Sequence, residues 1–126
     1  MKENELGKLY KDGEVICREG DAANGMYVIQ SGKVEVIKKT TVGVVTLSTL
    51  NAGDFFGEMS LFDHQPRSAT VKTVGDAIIL KIDKKEFFSR ASEDPSFAFN
   101  ILEGMVKRIR SLDNELSELK QGRQVT

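Results

Sequence analysis

Residues 56–71 read FGEMSLFDHQPRSATV and hold the residue types needed to capture an oxyanion. Gly57 lets backbone N–H groups approach an anion without a Cβ in the way. It precedes an expected short helix, Glu58 to Phe62, whose N-terminus carries unpaired N–H donors and partial positive charge. Arg67 adds a full charge on a planar fork. That fork can donate two parallel hydrogen bonds to one phosphate, which lysine cannot do. Ser68 can add a hydroxyl donor and Ala69 a backbone N–H, with a side chain small enough to leave room for a ligand. Glu58 is repelled by an anion unless it has a separate task. An ionised carboxylate only accepts hydrogen bonds, so it asks for a hydroxyl donor. Taken singly, Glu58 is an ordinary first-turn acid and Arg67 a solvated loop arginine. Taken in this order they form one site.

The ordered set Phe56, Gly57, Glu58, Leu61, Pro66, Arg67, Ala69 and Thr70 resembles the phosphate-binding cassette of the cyclic-nucleotide-binding domain family. That family's pattern is roughly F-G-E-x-x-L, a variable stretch, then P-R-x-A-T. Arg18-Glu19-Gly20-Asp21, Met26-Tyr27-Val28-Ile29 and Ser31-Gly32-Lys33-Val34 resemble the opening strands of the same domain, and Asn51 to Glu58 the approach to the cassette. The resemblance covers residues 7 to 112. It implies a cyclic-nucleotide ligand, cyclic AMP in the first place. Cyclic GMP is a second candidate, because the Ser68 hydroxyl can also serve a guanine amino group. Phe56, Gly57, Glu58, Met59, Ser60, Arg67, Ser68 and Ala69 would surround the sugar phosphate, with Glu58 accepting from the ribose 2′-hydroxyl. Val36 and Leu47, with Ser48 nearby, would line the base. No cofactor and no metal is implied. In dimeric bacterial relatives of catabolite-activator type, residues of a C-terminal helix also reach the ligand. Arg108 stands where they carry a ligand-side arginine. Leu112 and Asp113 stand where they carry hydroxyl residues that bond adenine, so the resemblance fails there and leaves Leu112 to cap the base by apolar contact.

The elements that must position these residues are mainly β. Short apolar and β-branched runs, Met26 to Gln30, Val34 to Ile37, Val42 to Leu50, Ala69 to Val74 and Ala77 to Ile82, are separated by turn signals at Ser31-Gly32, Asn51 to Asp54 and Gly75-Asp76. Regular short strands of this kind predict a sandwich or barrel. The family resemblance sharpens this to an eight-stranded antiparallel β-roll with flanking helices and a long C-terminal helix. The expected organisation is a roll over residues 1–94, a capping and dimerisation helix over 95–121 in the same domain, and a polar tail over 122–126. Pro95 suits the first turn of that helix, with Asp94 or Ser92 to start it. Leu102, Met105, Ile109, Leu112, Leu116 and Leu119 then alternate in spacing between three and four, an unbroken heptad seam. In a parallel homodimer, Arg108 would face Asp113 and Glu115 would face Lys120 across the seam, both pairs of opposite sign. The competing arrangement folds the seam back onto the roll. Arg108 cannot serve both its ion pair and the ligand without compromise.

Composition bounds the rest. The chain has 126 residues, 18 Lys and Arg against 19 Asp and Glu, and a net charge of −1. One domain with a proper core follows, and a general nucleic-acid surface does not. The one cysteine, Cys17, sits in an apolar run and reads as core filler rather than a reactive thiol. Met1 to Glu5 is charged and polar, unlike a secretory leader, and no apolar run approaches the ~20 residues of a membrane span. A cytoplasmic protein is expected. The one histidine, His64, lies in the cassette loop, so a metal-dependent β-barrel enzyme lacks its ligands, and no nucleophile–base–orienter set appears. The expectation is a non-enzymatic sensor acting on an unidentified effector protein. It stands alone, since no helix-turn-helix follows the long helix. The alternatives are a β-roll that binds no ligand and serves dimerisation, or a sensor fragment of a larger transcription regulator. The Glu58 role carries its own test: the 2′-deoxy analogue of the nucleotide is expected to bind about 1.5–3 kcal/mol more weakly, the worth of a hydrogen bond to a charged group. Equal titration isotherms for the two ligands would remove that role.

Overall fold

In a computed structural model the described residues run from 6 to 125, with side chains described to 121. Met1 to Glu5, on which the expectation of no leader rested, and Thr126 lie outside them. The elements are β1 (Lys8–Tyr10), β2 (Val15–Cys17), β3 (Met26–Thr40), β4 (Gly43–Asn51), β5 (Phe55–Phe56), β6 (Thr70–Ile82), α1 (Lys84–Glu93) and α2 (Pro95–Val125). Every ladder is antiparallel. β6 lies between β1 and β3, β4 pairs outside β3, β2 adds to β6 and β5 to β3. The chain divides into two units, one ending at Ser89 and one beginning at Arg90. The fold is therefore mainly antiparallel β with a long C-terminal helix, as the sequence leads one to expect.

Among the described residues six continuous strands are consistent with the expected eight-stranded roll, because β3 and β6 are each long enough to count as two. The reason lies at two of the predicted turns, which are bends within strands rather than chain reversals. β3 runs through Gly32 and β6 through Gly75, both with positive φ, 91° and 79°. The β3–β6 register breaks between Ile29 and Lys33, so each strand has two differently paired halves. Gly32 is required here by close approach as well as by φ. A Cβ on it would stand 2.5 Å from the Asp76 carbonyl oxygen, a distance that van der Waals contact does not permit.

β3 is buried on both faces over Met26 to Ile29, while alternate residues are buried at the start of β6. Ile29, Val34, Phe56, Val71, Ala77, Ile79, Tyr27 and Cys17 form a continuous core cluster. Each fully buried aliphatic contributes about 1.5–3 kcal/mol relative to exposure. β4 departs from this pattern. It is an edge strand, and Val44, Val45 and Leu47 are exposed despite their apolar character. A bulge lies opposite it: Val36 pairs with Ser48 and Ile37 with Thr46, which passes over Leu47. An extra residue of this kind bends the strand and increases its twist.

In the second unit, the N–H of Ser96 donates to the Asp94 carboxylate at 3.2 Å, so Asp94 caps α2 as an N-cap acid should. The helix passes the expected end at Gln121 and runs to Val125, taking in the stretch read as a polar tail. Leu102, Ile109, Leu112, Leu116 and Leu119 are exposed along it. No described helix is long and apolar enough to cross a membrane.

Thr73 ties the first turn to the roll. Its buried hydroxyl donates to the Lys11 carbonyl at 2.6 Å and accepts from the Glu14 N–H at 3.1 Å. Thr73→Val keeps the shape and deletes both bonds, leaving polar groups unsatisfied. It is expected to destabilise the protein by about 1–3 kcal/mol in urea unfolding, whereas Thr46→Val on the exposed edge strand should stay within about 0.5 kcal/mol.

Candidate functional site

Two distant stretches meet at the cassette. The Gly20 N–H donates to the Arg67 carbonyl, and the Arg67 N–H to the Asp21 carbonyl, both at 2.8 Å. This reciprocal pair fixes the Arg67 backbone beside the chain that leads into β3. Its side chain then turns inward. Nη2 donates to the Gly25 carbonyl at 2.7 Å and Nη1 to the Gly57 carbonyl at 3.5 Å. Cζ stands 5.4 Å from the centre of the Tyr27 ring, a cation–π distance. Tyr27 is itself stacked on Phe56 at 4.9 Å and 15°. Arg67 is only 9 % exposed.

Gly57 is needed twice over. Its φ of 79° is left-handed, a region that costs an L-residue about 1–2 kcal/mol. A Cβ there would also lie 2.5 Å from Nη1 of Arg67. Gly25 does not have positive φ. It is glycine-like for a different reason, since a Cβ would meet the Ile82 carbonyl oxygen at 2.8 Å. After Gly57 the chain makes a single 3-10 turn, Glu58–Leu61, in place of the expected helix to Phe62, which instead closes the turn by donating its N–H to the Met59 carbonyl. Leu61 is buried and anchors the turn. The Ser60 hydroxyl points back under it, 2.7 Å from the Gly25 carbonyl oxygen and 2.8 Å from that of Gly57, and accepts the Gly25 N–H at 3.1 Å.

These elements bound a cavity of about 380 Å³ lined by Ala23, Gly57, Glu58, Met59, Ser60, Asp63, Gln65, Pro66, Arg67 and Ser68. Of the residues singled out in the sequence, it brings together Gly57, Glu58, Met59, Ser60, Arg67 and Ser68. Phe56 lies beneath it in the core. Ala69 is half-buried beside it and outside the lining. Val36, Leu47 and Ser48 sit on the β3–β4 pair and do not line it. Leu47 is 56 % exposed. Arg108 and Leu112 are on α2 in the second unit. Asp63 and Gln65 fall in the variable stretch of the motif and Ala23 in no motif at all. Their only sequence signal is proximity to the cassette or to the Gly25 turn.

The cavity lining carries one cation, Arg67, and two carboxylates, Glu58 and Asp63. Glu58 is 9 % exposed and so, like Arg67, largely withdrawn from water. The Arg67 guanidinium is met by neutral carbonyl oxygens and a ring face. Its charge reaches further. Burial pushes the Tyr27 phenol and the Cys17 thiol up from their ordinary values, and Arg67 partly offsets both shifts. Cys17 is thus a buried, protonated core thiol. Among the described residues no group of His, Cys, Asp and Glu could hold a metal ion.

Comparison with known proteins adds to this geometry. Residues 8–94 match the family profile described as the cyclic nucleotide-binding domain. The chain is 34 % identical over 113 residues to the cyclic AMP receptor protein of Thermus thermophilus, across 89 % of its own length and 52 % of that protein's. It is 41 % identical over 83 residues to the cAMP-dependent protein kinase type II regulatory subunit of Drosophila melanogaster, covering 65 % of itself and 22 % of that subunit. The crystal structure of the Thermus thermophilus catabolite activator protein superposes with a TM-score of 0.77 at 33 % identity, over 90 % of this chain and 54 % of that one. The chain thus spans about half the length of its bacterial relative and less of the fly subunit.

The two demands on Gly57 can be separated. Gly53 also has positive φ, 92°, with nothing within 4 Å of a Cβ. Gly53→Ala is expected to cost about 1–2 kcal/mol from backbone strain alone. Gly57→Ala should cost about 1 kcal/mol or more beyond that, because the Arg67 guanidinium must move. Equal midpoint shifts in denaturant would mean that the guanidinium is not held against Gly57.

Proposed function

The chain belongs to the cyclic nucleotide-binding domain family, and from that premise we propose that it is a regulatory sensor module whose ligand is cyclic AMP. The observation that carries the reading is the buried Arg67 charge at the wall of the cavity, whose guanidinium donates its hydrogen bonds to the Gly25 and Gly57 carbonyl oxygens. Burying a charge among neutral groups is unfavourable. A bound phosphate relieves that cost with charge-assisted, bidentate hydrogen bonds. Two of the five guanidinium N–H groups go to the Gly25 and Gly57 carbonyls, and that orients the remainder of the fork.

The roles are those that the family resemblance implies. Arg67, with the Ser68 hydroxyl and the Ala69 N–H, takes the exocyclic phosphate oxygens. Gly57 permits the close approach, and Met59 and Ser60 complete the wall. Glu58 accepts from the ribose 2′-hydroxyl. Val36, Leu47 and Ser48, on the β3–β4 pair outside the cavity lining, are the residues that the resemblance assigns to the base. The names of the two relatives, a cyclic AMP receptor and a subunit of a cAMP-dependent kinase, favour cyclic AMP. The Ser68 hydroxyl at the cavity wall keeps cyclic GMP as a second ligand.

Signalling is by population shift. A ligand moves an equilibrium only by its differential affinity for two states. Closing the cassette onto the phosphate supplies that difference, and α2 is the output element. Its exposed leucines and Ile109, with Met105, form the seam of a parallel homodimer, and an effector protein reads the change. The module itself is not an enzyme, carries no metal or cofactor, and acts in the cytoplasm.

Calorimetric titration of nucleotide-stripped protein with cyclic AMP and cyclic GMP, alongside Arg67→Ala, tests this. Binding at micromolar concentration or below is expected, tighter for cyclic AMP. The arginine variant should lose about 2–5 kcal/mol, as for a desolvated charge pair. No binding of either nucleotide in two independent assays would leave the seam of α2, and a dimerisation module, as the better reading.

A further inference from the structure

The Ser60 hydroxyl occupies an unusual position. It stands 2.7 Å from the Gly25 carbonyl oxygen and 2.8 Å from the Gly57 carbonyl oxygen, the same two oxygens that receive Nη2 and Nη1 of Arg67. It also accepts the Gly25 N–H at 3.1 Å. Gly25 and Gly57 belong to different segments, the start of β3 and the turn before Glu58. One side chain therefore lies within hydrogen-bond distance of both carbonyls that orient the guanidinium. A serine hydroxyl has one hydrogen and two lone pairs. It can donate to only one of the carbonyls at a time, and can pass between them by rotation.

We infer that Ser60 is a positioning residue for Arg67: by holding the Gly25 and Gly57 carbonyls in place, it sets the direction in which the guanidinium fork meets an exocyclic phosphate oxygen. The inference rests on the reading of the cavity as a cyclic-nucleotide site. Each carbonyl oxygen has two lone pairs, so it can hold the serine hydroxyl and an arginine N–H together. When Arg67 leans toward an anion and its carbonyl bonds lengthen, the hydroxyl keeps one carbonyl satisfied. The Nη1 contact is the longer of the two, at 3.5 Å, so the Gly57 side yields first. Without the hydroxyl, the 3-10 turn loses its tie to the Gly25 turn and the fork loses a defined orientation.

The test is a double-mutant cycle read with cyclic AMP and with its two phosphorothioate forms, in which sulfur replaces one or the other exocyclic oxygen. Wild-type protein should prefer one form, since a fixed fork distinguishes the two oxygens. Ser60→Ala is expected to weaken cyclic AMP binding about three- to tenfold, the worth of a single hydrogen bond, and to bring the preference toward unity. In an Arg67→Lys background, where the fork is already gone, Ser60→Ala should change affinity less than about twofold. Ser60→Thr keeps the hydroxyl and should retain the preference. Should Ser60→Ala unfold, Ser60→Cys, similar in size with only a weak donor, takes its place with the same expected direction. Equal losses in both backgrounds with an unchanged preference would make Ser60 a purely structural residue and overturn the inference. Wild-type protein that binds no form of cyclic AMP would remove the functional reading, and this inference with it.

Discussion

A guanidinium buried against neutral carbonyl oxygens is the constraint around which the first unit of this protein is arranged. Arg67 brings a charge into a site where only 9 % of the residue meets solvent. Carbonyl dipoles and the face of Tyr27 offset part of the desolvation, but none of them neutralises the charge. The backbone on either side must then be held tightly. Gly57 has no Cβ because one would strike Nη1, and Gly25 has none because one would strike the Ile82 carbonyl. The reciprocal bonds between Arg67 and the Gly20-Asp21 stretch and the stacking of Tyr27 on Phe56 belong to the same arrangement.

The roll supplies what that arrangement needs. β3 carries Gly25 at its head and Tyr27 in its first half, and β5 brings Phe56 alongside, with Tyr27 opposite Phe56 in the register. Gly57 follows at once. The core cluster that includes Tyr27 and Phe56 also includes Ile29, Val34, Val71 and Ile79, so the floor of the cavity is continuous with the most buried part of the domain.

The apolar residues of β4 and α2 tell a different story from the core. Val44, Val45 and Leu47 on an edge strand, and the leucines of α2, remain exposed. Edge strands with apolar side chains are a liability that soluble proteins usually cover or charge, and a repeated a/d seam on a helix is a pairing surface. Both features lie outside the buried core of the roll.

Much of the site could be read from the chain, because its parts are local. Gly57, Glu58, Ser60, Arg67 and Ser68 fall within one short segment, and the chemistry of a phosphate dictates glycine, arginine and a hydroxyl in that neighbourhood whatever surrounds them. Short apolar and β-branched runs between turn signals likewise gave the mainly β character, and the heptad spacing gave α2. Tertiary structure decided the rest. Gly32 and Gly75 looked like chain reversals, but pairing between β3 and β6 carries both strands through them as bends, because a ladder on each side outweighs a local turn preference. Leu47 was expected to line the base, and the pairing of β4 at the edge of the sheet leaves it exposed outside the cavity lining. Ala23 had no signal, since long-range hydrogen bonds between Arg67 and residues 20–21 and Gly25, and between Ser60 and Gly25, bring its segment to the cavity. Above all, the sequence determined that an arginine would be present, while the fold determined that its fork would be held by the Gly25 and Gly57 carbonyls. Local chemistry fixes which groups exist, and long-range pairing fixes which way they point.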